Sequence, residues 1–524
     1  MKRRDFCKGL AVTFAAGTLA PAAALPQAGA ATALVGRAVP DDYYTLWYRS
    51  DRCGADLRHD YYYSDSLFDH PATEYDNQLA LATLGMAAAA DCTWESDQRY
   101  WMEGEVGRAD HIRDAFAKLG FTEVQLFNYI HSLNDTPDTV GCAIARKTLV
   151  RGGRQVTIIG AFLRGSGYGA EWSGNLHAGP GSAHVGFVTA ARQLVEKIRA
   201  YVQVSAKRQP LGTLKLWMGG YSRGGGVANL VAARLPAVLP QLEKKNTFVY
   251  TFAAPASLTA ADCPDLQQDY DNNHAADGSL KKNWGTSNIF NIVSSGDVIP
   301  RILPAEWGFY RNGNDRFLPS TVIPEELQAL NDRSAGMEGT PMDFGRLAVS
   351  EETDAVLRSM LDLFCDRQTY YKGYEDAMRC MLQCATTRTE EEVTRGIVRD
   401  DAAVVAQLRS MELMQRFPQE KVERCVQAAS ALSRPVLEKL GSAVPLQAQQ
   451  IVIPMLAVGL CFELQPETVQ LVADFVLSTI TVKGQLSGIL KTVLCHFQEN
   501  YITVLEAYDP ADHGMTPYTR REEL

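Results

Sequence analysis

The chain has 524 residues, 46% of them apolar and 21% charged, with a formal net charge of −10. That balance is ordinary for a globular protein that can bury a sizeable core without staples. The acidic excess argues against nucleic acid or an anionic membrane surface as a main partner. Length alone suggests about three domains, or one large domain carrying an insertion.

Residues 1–33 read as an export signal rather than as part of the fold. A basic stretch from Lys2 to Lys8 precedes a mildly apolar run over 9–25. Ala28-Gly29-Ala30 and Ala31-Thr32-Ala33 are possible cleavage sites. Arg3-Arg4 with Phe6 and Lys8 resemble the bacterial twin-arginine type. Lys2 and Cys7 depart from the usual residues of that pattern, so the general secretory route stays open. The expected location is extracellular or in the cell envelope. A retained anchor is disfavoured because the run is short and weakly hydrophobic. The next most apolar segment, 451–462, is too short to span a bilayer and is interrupted by Pro454.

Eleven cysteines are present, and Cys7 would leave with the signal. The even remainder permits disulfides in an exported protein, but several sit on apolar helix faces, where a buried free thiol is the simpler reading. Cys380 and Cys384 lie one helical turn apart without a second ligand pair, so a zinc site is disfavoured. No metal and no cofactor is expected.

Residues 34–76 are rich in Tyr, Asp and Arg without clear periodicity and read as an extended segment lying over the domain. Helices are predicted over 77–90 and over 111–119, the latter ended by Gly120. Two strands, 141–149 and 155–162, are joined by Arg151-Gly152-Gly153-Arg154 as a hairpin turn. An amphipathic helix follows over 183–206, with Val185, Phe187, Ala190, Leu194, Ile198 and Val202 at suitable spacing. Apolar runs at 214–218, 247–252 and 288–293 read as strands. Strands alternating with helices predict an α/β fold with a mostly parallel central sheet.

Beyond about residue 320 the pattern becomes helical. Val356, Met360, Leu361 and Phe364 mark one helix, and Val404, Val405, Leu408, Met411 and Leu413 a second. Pro466 opens a third, with Val469, Val472, Val476 and Ile480 on one side. The expected organisation is an export signal at 1–33, a core at 34–320, a helical insertion or cap at 321–485, and a C-terminal return at 486–524.

Chemistry concentrates at Gly220-Tyr221-Ser222-Arg223-Gly224. This G-x-S-x-G follows an apolar strand and opens a helix-like run, the context of a sharp strand-to-helix turn that lifts a serine hydroxyl clear of the sheet. Glycines are expected at Gly220 and Gly224 because side chains there would collide. A serine hydroxyl needs an imidazole to take its proton and a carboxylate to orient the imidazole. Elbow-type enzymes present these in the order Ser, acid, His. Asp297, just after the strand at 288–293, is the acid candidate. His496 is the base candidate, and His513, in a polar tail, is its alternative. His177, His184 and His274 precede the acid and read as surface or structural. Donors for a developing oxyanion are expected from the Arg223 backbone N–H and from Ser166, in the glycine-containing loop 162–168.

Several blocks resemble class 3 lipases. Arg164-Gly165-Ser166 with Glu171-Trp172-Ser173-Gly174-Asn175-Leu176 is similar to their R-G-T … E/D-W-x-x-N-L. Ala183-His184-Val185-Gly186-Phe187 is similar to V-H-x-G-F, and Thr251-Phe252-Ala253-Ala254-Pro255 to T-F-G-x-P. The segment 220–225 resembles G-H-S-x-G-G, with Tyr221 for the usual His. Asp297-Val298-Ile299-Pro300 resembles D-x-V-P, and His496 with Tyr501 resembles the closing H-x-x-x-x-Y. The resemblance implies an α/β-hydrolase fold and hydrolysis of carboxylic esters, often acylglycerols. It assigns Ser222, Asp297 and His496 as the triad, and Ser166 with Arg223 as the oxyanion hole. The interval from Asp297 to His496 is far longer than the family's. A phospholipase or acyltransferase on the same triad, or a non-catalytic envelope protein with the same fold, are the alternative readings.

Overall fold

The computed structural model describes residues 36–50, 56–91, 109–129, 138–166, 169–180, 183–259, 286–294, 296–303, 307–318, 366–386, 395–440, 446–470 and 495–507, with isolated positions at 328, 332, 358 and 362. The expected export signal at 1–33, His274, His513, the helix marked by Val356–Phe364 and the positions Val472, Val476 and Ile480 lie outside these residues. So do Cys53, Cys92, Cys263 and Cys365.

The described residues form one compact unit. At its start, β1 (Asp42–Arg49) and β2 (Asp56–Tyr63) pair as an antiparallel hairpin. Within the expected extended segment over 34–76, the paired ribbon is the feature that periodicity did not reveal. Leu46, Tyr48, Leu57, Tyr61 and Tyr63 point inward, but tyrosines stand on both faces of the ribbon and hide the two-residue period.

Next come α1 (Asn77–Ala90), capped by Asp76 accepting from the Leu79 N–H at 2.7 Å, and α2 (Asp110–Lys118). Five strands then belong to the main sheet: β3 (Thr122–Phe127), β4 (Cys142–Arg151), β5 (Arg154–Leu163), β6 (Thr213–Tyr221) and β7 (Thr247–Phe252). Among them lie the helices α3 (Gly169–Gly174), α4 (Val185–Arg208) and α5 (Arg223–Val238). A short strand β8 (Leu258–Thr259), then β9 (Ile289–Ser294), β10 (Phe309–Tyr310) and β11 (Asn314–Leu318) complete the core strands.

The main sheet has seven strands in the order β11-β9-β7-β6-β5-β4-β3. Neighbours from β11 to β5 run parallel, while β4 and β3 add antiparallel to one edge. The β4–β5 turn is the expected one. Gly152 and Gly153 both have positive φ (54° and 74°), as a two-residue hairpin of matching twist requires.

The two-residue strand period sorts the core into layers. From β6, Leu214, Leu216 and Met218 face α4 and α5, whereas Trp217 and Tyr221 face α1, α2 and the β1–β2 hairpin. Both faces of the central strands are therefore covered, as in a wound α/β protein.

The later helices are α6 (Glu375–Thr386), α7 (Asp401–Ser410), α8 (Gln419–Leu440), α9 (Leu446–Cys461) and, after the insertion, α10 (Gln498–Ala507). Among the described residues no strand lies between 321 and 485. The second expected helix is shorter than its pattern suggests. Met411 turns extended (φ −82°, ψ 127°), and a 3-10 turn over Glu412–Arg416 carries Leu413.

Helices α6 to α9 share an apolar cluster with Leu176, Ala178, Ala256, Ile302, Leu303 and Phe309. Those six belong to the segments that follow α3, β7 and β9 at one end of the core. Polar ties reinforce the seat: Glu375 accepts from the Gly179 N–H at 2.9 Å, and the Tyr370 hydroxyl donates to the Leu176 carbonyl at 2.8 Å. No helix among the described residues is long and apolar enough to cross a membrane.

Candidate active site

β6 ends at Tyr221 and α5 begins at Arg223, so the whole reversal falls on Ser222. Its backbone sits at φ 54°, ψ −126°, a conformation that costs about 1–3 kcal/mol and persists only where its surroundings enforce it. Enforcement comes from the Ser222 N–H donating to the Phe252 carbonyl (2.9 Å) and the Gly226 N–H donating to the Ser222 carbonyl (3.1 Å). A Cβ on Gly220 would stand 2.4 Å from the Gly224 carbonyl oxygen. One on Gly224 would stand 2.4 Å from the Arg164 carbonyl oxygen. Both glycines are thus required by contact with backbone that cannot move aside.

Asp297 follows β9, two strands from β6, and is fully buried. Parallel strands bring the ends of β6 and β9 to the same sheet edge, so Ser222 and Asp297 meet there. His496 arrives from the far end of the chain, just before α10. Its Nδ1 lies 2.8 Å from Asp297 Oδ2 and its Nε2 lies 2.9 Å from Ser222 Oγ. A carboxylate only accepts, so Nδ1 carries the proton and Nε2 is left to accept from the serine hydroxyl.

Asp297 has further donors. The Tyr501 hydroxyl donates to Oδ2 at 2.8 Å, and the Ile299 N–H to Oδ1 at 2.9 Å. Burial and the neighbouring Asp297 charge hold the Tyr501 phenol well above its usual range, so it remains a donor. Arg311 steadies the acid's loop from below, donating from Nη1 to the carbonyls of Ala254 (3.0 Å) and Pro300 (2.9 Å). Tyr221 stands where the resembled motif has a histidine, and here it has a distinct use. Its hydroxyl donates to the His496 carbonyl at 2.7 Å, and its ring packs between those of His496 and Tyr501.

Ser166 sits on the segment after β5. Arg164 and Glu171 form a fully buried bidentate pair (2.7 and 2.9 Å) that closes this segment onto α3. Asn175 donates to Ser166 Oγ at 2.8 Å and accepts from Arg223 Nη1 at 2.8 Å, so one amide joins the two residues expected to form an oxyanion hole. Residues 167–168 of the expected loop lie outside the described residues. The Arg223 side chain is spent on structure, donating through Nε to the Thr139 carbonyl at 3.0 Å and lying over the Phe187 ring. Burial lowers its pKa to about 10, which leaves it charged at neutral pH.

The other histidines follow their structural reading where described. His177 pairs with Asp138 at 2.9 Å, partly exposed. His184 is fully buried; its Nδ1 accepts from the Phe187 N–H (3.3 Å) to cap α4, and its Nε2 faces the Asn175 carbonyl at 3.0 Å. Burial, aided by the Arg223 charge, pushes its pKa from 6.5 down to about 3. Between those values the unfolded chain binds a proton that the folded one refuses. The stability contributed is complete above pH 6.5 and is lost as pH falls toward 3, at up to about 1.4 kcal/mol per unit. His184→Asn keeps a cap acceptor and removes the titration. Urea midpoints at pH 7 and pH 5 should therefore differ less in this variant than in the parent; equal differences would rule the assignment out.

Among the described residues no cluster of His, Cys, Asp or Glu could hold a metal ion. The described cysteines Cys142, Cys380, Cys384, Cys425, Cys461 and Cys495 are unbridged. Sequence reasoning did not find Asp91 or Gln498, which also border the site.

Residues 166–307 match the family described as lipase (class 3). That stretch runs from Ser166 through the Ser222 elbow to just beyond Asp297. Over that stretch the chain is similar to class 3 lipases. The helical insertion and His496 lie outside the matched stretch. No curated protein matches the chain. Among solved structures, a Rhizomucor miehei lipase in complex with its propeptide is 21% identical, covering 46% of this chain and 68% of that one with a TM-score of 0.31. Lipase II from Rhizopus niveus is 16% identical over 46% and 80%, TM-score 0.31. The Lip2 lipase of Yarrowia lipolytica is 15% identical over 43% and 78%, TM-score 0.28.

Proposed function

We propose that this lipase-like hydrolase cleaves carboxylic esters of lipids, acylglycerols among them, with Ser222 as nucleophile, His496 as base and Asp297 as the group that orients it. The observation that carries the reading is a single imidazole bonded at both nitrogens, to a serine hydroxyl at 2.9 Å and to a buried carboxylate at 2.8 Å. His496 Nε2 takes the hydroxyl proton as Ser222 Oγ attacks the ester carbonyl. The backbone N–H groups of Ser166 and Arg223 receive the oxyanion. His496 then returns the proton to the departing alkoxide, leaving an acyl-enzyme and a free alcohol. Water, deprotonated by the same nitrogen, attacks the acyl carbonyl and releases the acid. Asp297 keeps its bond to Nδ1 throughout and stabilises the transient imidazolium. The same proposal takes residues 1–33 as an export signal, resting on the basic run from Lys2 to Lys8 and the apolar stretch after it.

A fluorophosphonate probe tests the nucleophile. The expected result is one covalent adduct, mapped to Ser222 by peptide mass spectrometry and absent from Ser222→Ala. An adduct of equal yield in the variant would overturn the proposal.

A further inference from the structure

Asp91 lies at the carboxyl end of α1, nearly buried, and no motif singles it out. Its Oδ1 accepts from the Gly165 N–H at 2.9 Å and its Oδ2 from Gln498 Nε2 at 2.7 Å. Gly165 directly precedes Ser166, and Gln498 follows His496 by two residues. We infer that Asp91 is a positioning residue, a carboxylate strap that holds the oxyanion loop and the base-bearing loop in register with each other. The inference rests on the functional reading above.

Three features point beyond a structural cap. A carboxylate at a helix carboxyl end opposes the helix dipole, so the helix itself gives no reason for an acid there. The Gly165 N–H and Gln498 Nε2 both donate, and a carboxylate accepts one on each oxygen without rearrangement. The approach is also close: a Cβ on Gly165 would stand 3.0 Å from Asp91 Oδ1, so the glycine lets the strap reach the backbone. With its N–H turned to Asp91, the Gly165 peptide is held in one orientation. The Ser166 N–H that follows has no partner among the described residues. On the other side, Gln498 opens α10, is 4% exposed, and spends Nε2 on Asp91 while its Oε1 is buried without a partner. Asp91 therefore selects which way that amide points and where the start of α10 sits.

Loosening either tie lets a donor or the base drift from its reacting position, and a misplacement near 1 Å can cost about 100-fold in rate. Asp91→Ala should lower kcat by about 10- to 100-fold with KM little changed, because neither bond grips the substrate. Fluorophosphonate labelling of Ser222 should slow in parallel. Asp91→Asn should recover most of that loss, since Gln498 can rotate its amide to offer Oε1 to the new NH2 group. Gln498→Ala, which spares the Gly165 bond, should lower kcat less than Asp91→Ala. It serves as the deciding variant if Asp91→Ala does not fold. A folded Asp91→Ala or Gln498→Ala enzyme with parental kcat, or with a loss confined to KM, overturns the inference. Hydrolysis that persists in Ser222→Ala would instead sink the functional reading.

Discussion

His496→Ala lowers kcat/KM for ester hydrolysis by about 10⁴- to 10⁶-fold, the range seen when a triad base is removed. The argument is local. Ser222 Oγ has one imidazole within hydrogen-bond distance, and that ring alone among the described residues also meets Asp297. Without it the hydroxyl keeps its proton, and the strained elbow presents a poor nucleophile. Because the backbone N–H groups proposed to receive the oxyanion are untouched, a residual rate above that of water should remain. Parental turnover in His496→Ala, assayed with a soluble short-chain ester, would transfer the role to another histidine, with His513 the first to test. The same assay on Asp297→Asn should show a smaller loss, since the amide can still contact the ring but favours the wrong tautomer.

Glu171→Ala should destabilise the fold by about 3–5 kcal/mol, because the Arg164 guanidinium would be left charged and buried without its carboxylate. Both side chains are fully buried, and Arg164 also donates to the carbonyls of Gly165 (3.1 Å) and Asn128 (2.9 Å). The segment leading to Ser166 is thus built around this cation. Replacing both residues by apolar ones of similar size, Arg164→Met with Glu171→Leu, should restore much of the stability but not the activity, since the backbone bonds from Arg164 would be gone. Urea midpoints for the single and double variants check this. Equal midpoints for Glu171→Ala and the parent would show that the pair contributes nothing net.

How much was legible depends on where each element lies in the sheet. β5, β6, β7 and β9 are largely buried on both faces, and their mostly apolar runs announce them. β3 and β11 form the two edges of the main sheet. Their sequences, T-E-V-Q-L-F and N-D-R-F-L, are polar and half-exposed, so neither was expected as a strand. The β1–β2 ribbon escaped for the reason its tyrosines supply: a ring with a polar tip serves on either face. At the site, Ser222, Asp297, His496 and Ser166 were accessible through local motifs. Tyr501 and Asn175 were present in those motifs without a role attached. Asp91 had no signal, because its partners stand 74 and 407 positions away.

Short-range chemistry settled what the chain could decide unaided. Gly220 is demanded by the Gly224 backbone four residues on, and the alternation of apolar runs with amphipathic ones commits the core to a layered α/β sheet. The convergence of the motif-marked histidine and carboxylate on the serine, and the way an acid at the end of α1 ties two distant loops, were decided only by the folded sheet. Parallel strands deliver their carboxyl ends to one edge whatever the length of chain between them. Across nearly two hundred residues of intervening chain, spacing carries no information about contact.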